Sequence, residues 1–209
     1  MNTQDALDSV DTIQAQLSRF TPVRGYRAAT VAWTAALAGL AAIAQAVWVA
    51  DPLTQRGAYL AIWVGAALVG VLCLLVEVGR RYALTRSRLQ RHGLLRTLFA
   101  LTPAFGVAAV ITTALAGRSP EAFALLPGLW MLCFCLAIYA SLPRLPQGVG
   151  AIGCLYFAAG AWVLTRSPAA ATEPWTMGCV FAAGQAWAAW ILAKFPEGAE
   201  FPLDRRGGW

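Results

Sequence analysis

Long apolar runs alternate with short charged segments along the whole chain. Six runs lack Asp, Glu, Lys and Arg and hold 20 to 23 residues each: 28–50, 57–76, 97–117, 122–143, 145–165 and 174–193. A helix that rises about 1.5 Å per residue needs roughly 20 apolar residues to cross about 30 Å of hydrocarbon. The pattern therefore predicts an all-α integral membrane protein, a bundle of six transmembrane helices arranged as three helical hairpins.

Composition leads to the same class of protein. The chain is 59% hydrophobic and 12% charged, about half the roughly 25% charge of a typical soluble domain. Such a composition cannot supply a water-facing surface for a globular domain. We predict a cytoplasmic segment at residues 1–25, one transmembrane domain at 26–194 and a cytoplasmic tail at 195–209.

Basic residues fall unevenly on the two sides that six crossings would create. Thirteen of the 16 lie in the terminal segments and in the second and fourth connections, whereas Arg56, Arg118 and Arg166 lie on the other side. Cytoplasmic connections carry the excess of Lys and Arg in membrane proteins. We therefore expect a multi-pass protein of the bacterial inner membrane with both termini in the cytoplasm.

The N-terminal segment has helical periodicity. Leu7, Val10 and Leu17 fall near one face of a helix over residues 3–20, while Asp5 and Asp8 fall on another. This spacing predicts an amphipathic helix that lies on the membrane, packs under the bundle or engages a partner.

A second cytoplasmic element, residues 80–96, is expected to be an arginine-rich loop. It holds six arginines and a single aromatic residue, Tyr82. Basic segments beside a membrane attract anionic headgroups by about 1 kcal/mol per residue, and the segment shows no nucleic-acid-binding motif. We predict no nucleic-acid partner, and anionic-lipid contacts by Arg80, Arg81, Arg86, Arg88, Arg91 and Arg96.

Three polar or amphipathic side chains lie deep in the apolar runs. Gln45 and Gln185 are the deepest amides, and Trp130 lies near the middle of the fourth run. Polar side chains within a bilayer commonly bond neighbouring helices. We expect these three residues to make contacts between helices, with Gln45 and Gln185 joining the first and sixth, or contacts with a solute.

Small residues spaced four apart predict where helices approach one another closely. Four such seams occur in the apolar runs: Ala35 with Gly39, Ala66 with Gly70, Gly150 with Cys154 and Ala158, and Gly184 with Ala188.

The residues needed for several membrane-embedded chemistries are scarce. His92 is the one histidine, and the five cysteines lie in apolar runs without a CxxC pair. We therefore predict no catalytic, cofactor-binding or metal-binding residues, and a protein that is not an enzyme.

The favoured hypothesis is a non-enzymatic membrane protein, an accessory subunit, anchor or regulator, whose cytoplasmic face meets a cytoplasmic protein or a second copy of the chain. The alternative is a small permease for a neutral or apolar solute that would pass Gln45, Gln185 and Trp130.

Overall fold

The computed structural model describes residues 27–84, 88–146 and 148–194, and this part of the chain is helical with no β-strand. The predicted amphipathic helix at 3–20 and the tail from residue 195 lie outside the described residues. Short helical segments occur in three connections, at Pro120–Phe123, Leu142–Arg144 and Pro168–Ala171. The six longer helices are α1 (Ala28–Trp48), α2 (Arg56–Leu84), α3 (Arg88–Ala116), α4 (Leu126–Ser141), α5 (Val149–Leu164) and α6 (Pro174–Lys194).

Five helical segments of the described chain are long and apolar enough to cross a membrane, one fewer than predicted. They are Ala28–Trp48, Arg56–Leu84, Phe99–Ala116, Pro120–Ser141 and Pro168–Lys194. The exception, α5, is apolar but has 16 residues, a length of about 24 Å.

The fifth apolar run forms a shorter helix than expected because its first residues make a turn. Pro146 precedes the helix, and Gly148 has a φ of 99°. This left-handed conformation is readily adopted by glycine. The helix consequently begins at Val149.

Helices α2 and α3 are longer than the apolar runs from which they were predicted. Each has 29 residues, α2 continuing from position 76 to Leu84 and α3 beginning at Arg88 rather than at 97. The segment 80–96 is therefore helical on both sides of residues 85–87, and its interpretation as a loop is wrong over those helical parts.

The helices contact one another in the order α2, α1, α6, α5, α4, α3. The most extensive contacts are those of α1 with α6 and of α4 with α5, whereas α2 and α3 touch each other only slightly. The two largest contacts thus join different predicted hairpins. The fully buried large side chains include Tyr59, Phe123, Met131, Ile152 and Tyr156.

Helices α1 and α6 run antiparallel. Thr34 in the first half of α1 bonds Gln185 in the middle of α6, and Gln45 near the end of α1 bonds Thr172 just before α6. We call the end where α1 begins and α6 finishes the Arg27 end. The opposite end, where Arg56 bonds the carbonyl of Arg118, is the Arg56 end.

Glycines lie at two close helix crossings. A methyl group added at Gly178 of α6 would overlap Ala42 of α1. In the α4–α5 pair, a Cβ on Gly128 would lie 2.9 Å from the Gly160 carbonyl oxygen, and a Cβ on Gly160 would lie 2.9 Å from that of Gly128. Dispersion and close backbone contact hold helices together in lipid, where no hydrophobic effect favours their association.

Only part of the predicted small-residue pattern marks such crossings. A Cβ on Gly184 would lie 2.6 Å from the Tyr156 hydroxyl oxygen, so this position does allow a close approach. A Cβ on Gly70 would meet Thr34 at an ordinary 3.5 Å, and one on Gly39 would meet nothing within 4 Å.

Two single variants, Gly178→Ala and Gly39→Ala, separate the effect of α1–α6 packing on stability from the effect of helix propensity. We expect Gly178→Ala to lower the free energy of unfolding by about 1–3 kcal/mol because the added methyl overpacks the crossing. Gly39→Ala carries the same gain in helix propensity without a clash, so it should leave stability equal or slightly higher. Circular dichroism during unfolding in mixed micelles measures the free energy of unfolding of each variant. Equal changes in the two variants would contradict a close crossing at Gly178.

Candidate functional site

Gln45 forms a buried polar junction at the Arg56 end of the bundle. Its side chain is fully buried. The amide nitrogen donates to the Thr172 carbonyl oxygen at 2.7 Å, and the amide oxygen accepts from the Trp63 indole nitrogen at 2.6 Å. One side chain of α1 therefore holds α2 and the connection before α6, and both ends of its amide are satisfied.

An aromatic cluster lies beside this junction. The Tyr59 ring packs edge-on against Phe123 at 5.5 Å between centroids and stacks with Trp130 at 6.4 Å. The Trp130 indole nitrogen donates to the Thr112 hydroxyl oxygen at 2.9 Å, and the Tyr59 hydroxyl donates to the Met177 sulfur at 3.4 Å. Side chains from α2, α3, α4 and α6 thereby fill the Arg56 end.

A second polar group connects α1, α5 and α6 closer to the Arg27 end. The Thr34 hydroxyl donates to the Gln185 amide oxygen at 3.1 Å, and the Gln185 amide nitrogen lies 3.5 Å from the Tyr156 hydroxyl oxygen. That hydroxyl in turn lies 3.5 Å from the Phe181 carbonyl oxygen. The absence of a side chain at Gly184 makes room for the tyrosine.

The three interior residues singled out from the sequence belong to these clusters. Gln45 lies near the Arg56 end of the α1–α6 pair and Gln185 at the middle of α6, and each bonds other residues rather than its counterpart. Trp130 belongs to the aromatic cluster. Tyr59 and Trp63 lie toward the outer edge of the second apolar run, which predicts the headgroup interface for both, but both are buried. Two aromatic residues four positions apart on one apolar helix are a signal for a buried stripe.

The Arg27 end carries an ion-pair cluster instead of an aromatic one. One carboxylate oxygen of Glu77 lies 2.8 Å from Nε of Arg81 and 3.3 Å from Nε of Arg27. The side chains of Glu77 and Arg81 are 15% and 17% exposed, and that of Arg27 is 64% exposed. An open groove beside this cluster separates α1 from α2 and is lined by Arg27, Ala29, Thr30, Trp33, Leu72, Cys73, Val76 and Glu77.

The predicted lipid-contacting arginines are distributed over this end. Arg80 is exposed in the last turns of α2, and Arg81 pairs with Glu77. Arg88, Arg91 and Arg96 lie in the first turns of α3, and Arg86 lies outside the described residues.

The interior polar groups of the described helices bond one another. No buried side-chain nitrogen or oxygen in residues 27–84, 88–146 and 148–194 lacks a hydrogen-bond partner, and no three metal-ligating side chains come together there. These groups therefore act as contacts between helices, the role that polar side chains commonly have in a bilayer.

Comparisons with protein-family models, curated proteins and solved structures found no match to this chain. The class of protein rests on the fold itself. Five long apolar helices, with large apolar side chains exposed along them, fit a helical membrane protein.

A double-mutant cycle tests the Gln45 junction. Gln45→Leu leaves the Trp63 indole and the Thr172 carbonyl without their partner, and we expect a loss of about 1–3 kcal/mol in unfolding free energy. Combined with Trp63→Phe, it should show a coupling energy of roughly 0.6–1.7 kcal/mol, the range of hydrogen bonds between membrane helices. Unfolding of the two single variants and of the double variant in mixed micelles gives this coupling.

Gln185→Leu is the matched control, because its bonds to Thr34 and Tyr156 are longer and only half-buried. We expect a smaller loss than at Gln45. Equal losses at the two positions, or additive effects of the Gln45 and Trp63 substitutions, would show that the junction does not hold the helices.

Proposed function

We propose that this chain is a non-enzymatic polytopic membrane protein that acts by association, as an accessory subunit, anchor or regulator, through a cytoplasmic face at the Arg27 end. In this proposal the chain crosses the bacterial inner membrane six times, in three hairpins, with both termini in the cytoplasm. In this proposal the face combines the last turns of α2 and the first turns of α3 with residues 1–25 and 195–209.

The antiparallel arrangement of α1 and α6 supports an even number of crossings. Arg27 and Lys194 lie at the same end of the bundle, since Thr34 bonds Gln185 and Gln45 bonds Thr172. A chain that starts and finishes on one side crosses an even number of times, so α5 counts as a crossing. A short apolar helix crosses where the bilayer thins locally or where flanking residues extend to the interface.

Charge and aromatic placement support the orientation. Thirteen basic residues would lie on the Arg27 side and three on the other, in keeping with cytoplasmic Lys and Arg. Both proposed boundaries hold a cation stacked on a tryptophan. Lys194 lies 3.8 Å from the Trp190 ring centroid at the Arg27 end, and Arg166 lies 4.7 Å from that of Trp162 at the other.

The length of α2 and α3 is the observation that carries the association proposal. Each helix has 29 residues, about 44 Å, against about 30 Å of hydrocarbon. The part of α2 beyond the apolar run contains Glu77, Arg80 and Arg81. Because charged side chains are costly in hydrocarbon, helix tilt does not bring this part into the bilayer core. The two helices thus extend beyond the apolar region, and the last turns of α2 present the exposed Arg80 to headgroups and to a partner.

The interior supports a role outside catalysis. The described bundle is filled at the Arg56 end by Tyr59, Phe123 and Trp130, and its buried amides are engaged in bonds between helices. Catalytic sites instead gather polar groups with perturbed environments around a space for substrate.

The permease alternative has one supporting observation, the loose bonding around Gln185. Its amide nitrogen and the Tyr156 hydroxyl are 3.5 Å apart, at the long limit for a hydrogen bond, so a polar solute could replace that contact. The short, enclosed bonds of Gln45 favour the structural role.

Photo-crosslinking at two exposed arginines tests the association. We expect a photoreactive amino acid at Arg80, on the Arg27 end, to yield one discrete adduct in native membranes, with a partner or with a second copy of the chain. The same residue at Arg118 is the matched control, because Arg118 is also exposed but lies at the Arg56 end.

The proposal predicts that Arg118 yields no such adduct. No adduct at Arg80, or the same adducts at both positions, would contradict a partner-binding surface at the Arg27 end.

A further inference from the structure

The groove between α1 and α2 is amphipathic along its length. Charged residues lie at its opening, where Arg27 faces Glu77, and apolar residues follow further along α2, namely Leu72 and Val76. The two helices come together at the far end, where a Cβ added to Gly70 would lie 3.5 Å from the Thr34 methyl carbon. From Arg27 to Thr34 the groove runs about 10 Å along α1.

Two residues that line this groove, Thr30 and Trp33, carry hydrogen-bond donors without a partner in the described part of the chain. These donors are the Thr30 hydroxyl and the Trp33 indole nitrogen. Trp33 is half-exposed. Each lies within two turns of Arg27, and all three residues belong to the α1 side of the groove.

The charges at the opening leave a positive surplus. Glu77 is one carboxylate shared between Arg27 and Arg81, and Arg80 is exposed on the following turn. Arg27 is the more weakly held cation, since it contacts Glu77 at 3.3 Å and is 64% exposed. Its guanidinium is able to turn toward an anion in the groove, and guanidinium groups bind phosphate in a bidentate manner.

We propose that this groove is a binding site for one anionic phospholipid. The phosphodiester bonds Arg27 and the Thr30 hydroxyl, the Trp33 indole donates to a glycerol ester oxygen, and one acyl chain lies along Leu72 and Val76. This site is distinct from the predicted headgroup contacts of residues 80–96, because it holds both the headgroup and a chain. It depends neither on a protein partner nor on which leaflet faces the cytoplasm.

The shape of the groove identifies the ligand as a lipid rather than a free phosphate. Its apolar part is open to the side, with Leu72 60% and Val76 55% exposed, as a site must be when its ligand enters from the bilayer. A soluble anion would gain nothing from these side chains.

Native mass spectrometry of the full chain in detergent, titrated with dioleoyl phosphatidylglycerol, tests the site. Arg27→Gln should weaken binding of the first lipid at least about tenfold, since it removes a charge-assisted bond. Arg80→Gln is the matched control because it removes the same charge one turn from Glu77 but outside the groove, and we expect less than about a fivefold change. Equal effects would overturn the proposal.

Two further variants separate the site from a general effect on folding. Glu77→Gln removes the competing carboxylate, so it should tighten binding; weaker binding in a variant with unchanged thermal stability would contradict the site. Val76→Trp should fill the apolar part and weaken binding of the first lipid. Excess inorganic phosphate should not displace the lipid, and displacement would identify a phosphate site instead.

Discussion

The absence of hydrogen-bonding solvent within a bilayer is the constraint on which this structure depends. Every polar group in the apolar region must find its partner inside the protein. Gln45 shows how this is met, since both ends of its amide are bonded, to Trp63 of α2 and to the carbonyl of Thr172. The need to satisfy one side chain thus joins α1 to α2, 18 residues away, and to the connection before α6, 127 residues away. Close glycine crossings at Gly178 and between Gly128 and Gly160 then supply the backbone contact that hydrophobic burial supplies in soluble proteins.

The two ends of the bundle meet this constraint differently. At the Arg56 end, aromatic rings and the Gln45 junction fill the space between helices. At the Arg27 end, α1 and α2 separate into a groove, and the polar groups there are charges at the boundary of the apolar region. The Arg56 end is therefore firmly connected, whereas the Arg27 end has an open groove beside charged side chains. The association that we propose uses this open end.

The sequence predicted the helices better than their contacts. Absence of charge located the start of α1 at Ala28 and of α6 at Pro174, because no helix can carry unpaired charges through hydrocarbon. Absence of charge could not predict where α2 finishes or where α3 begins, since both helices continue past the apolar runs into turns where charge is tolerated. The late start of α5 depends on the backbone of Gly148. The partners of Gln45, Gln185 and Trp130 depended on tertiary packing. Small-residue spacing indicated Gly184 but also Gly39, where an added Cβ would meet nothing within 4 Å.

The side of the membrane on which each connection lies distinguishes six crossings from fewer. In a cysteine-free background, single cysteines at the exposed positions Asp51, Ser119 and Glu173 should react with a membrane-impermeant thiol reagent in intact cells. Cysteines at Leu84 and Lys194 should react only after the cells are permeabilised. Labelling of Glu173 and Lys194 from the same side would show that the chain does not cross between them, and would contradict the six-crossing account.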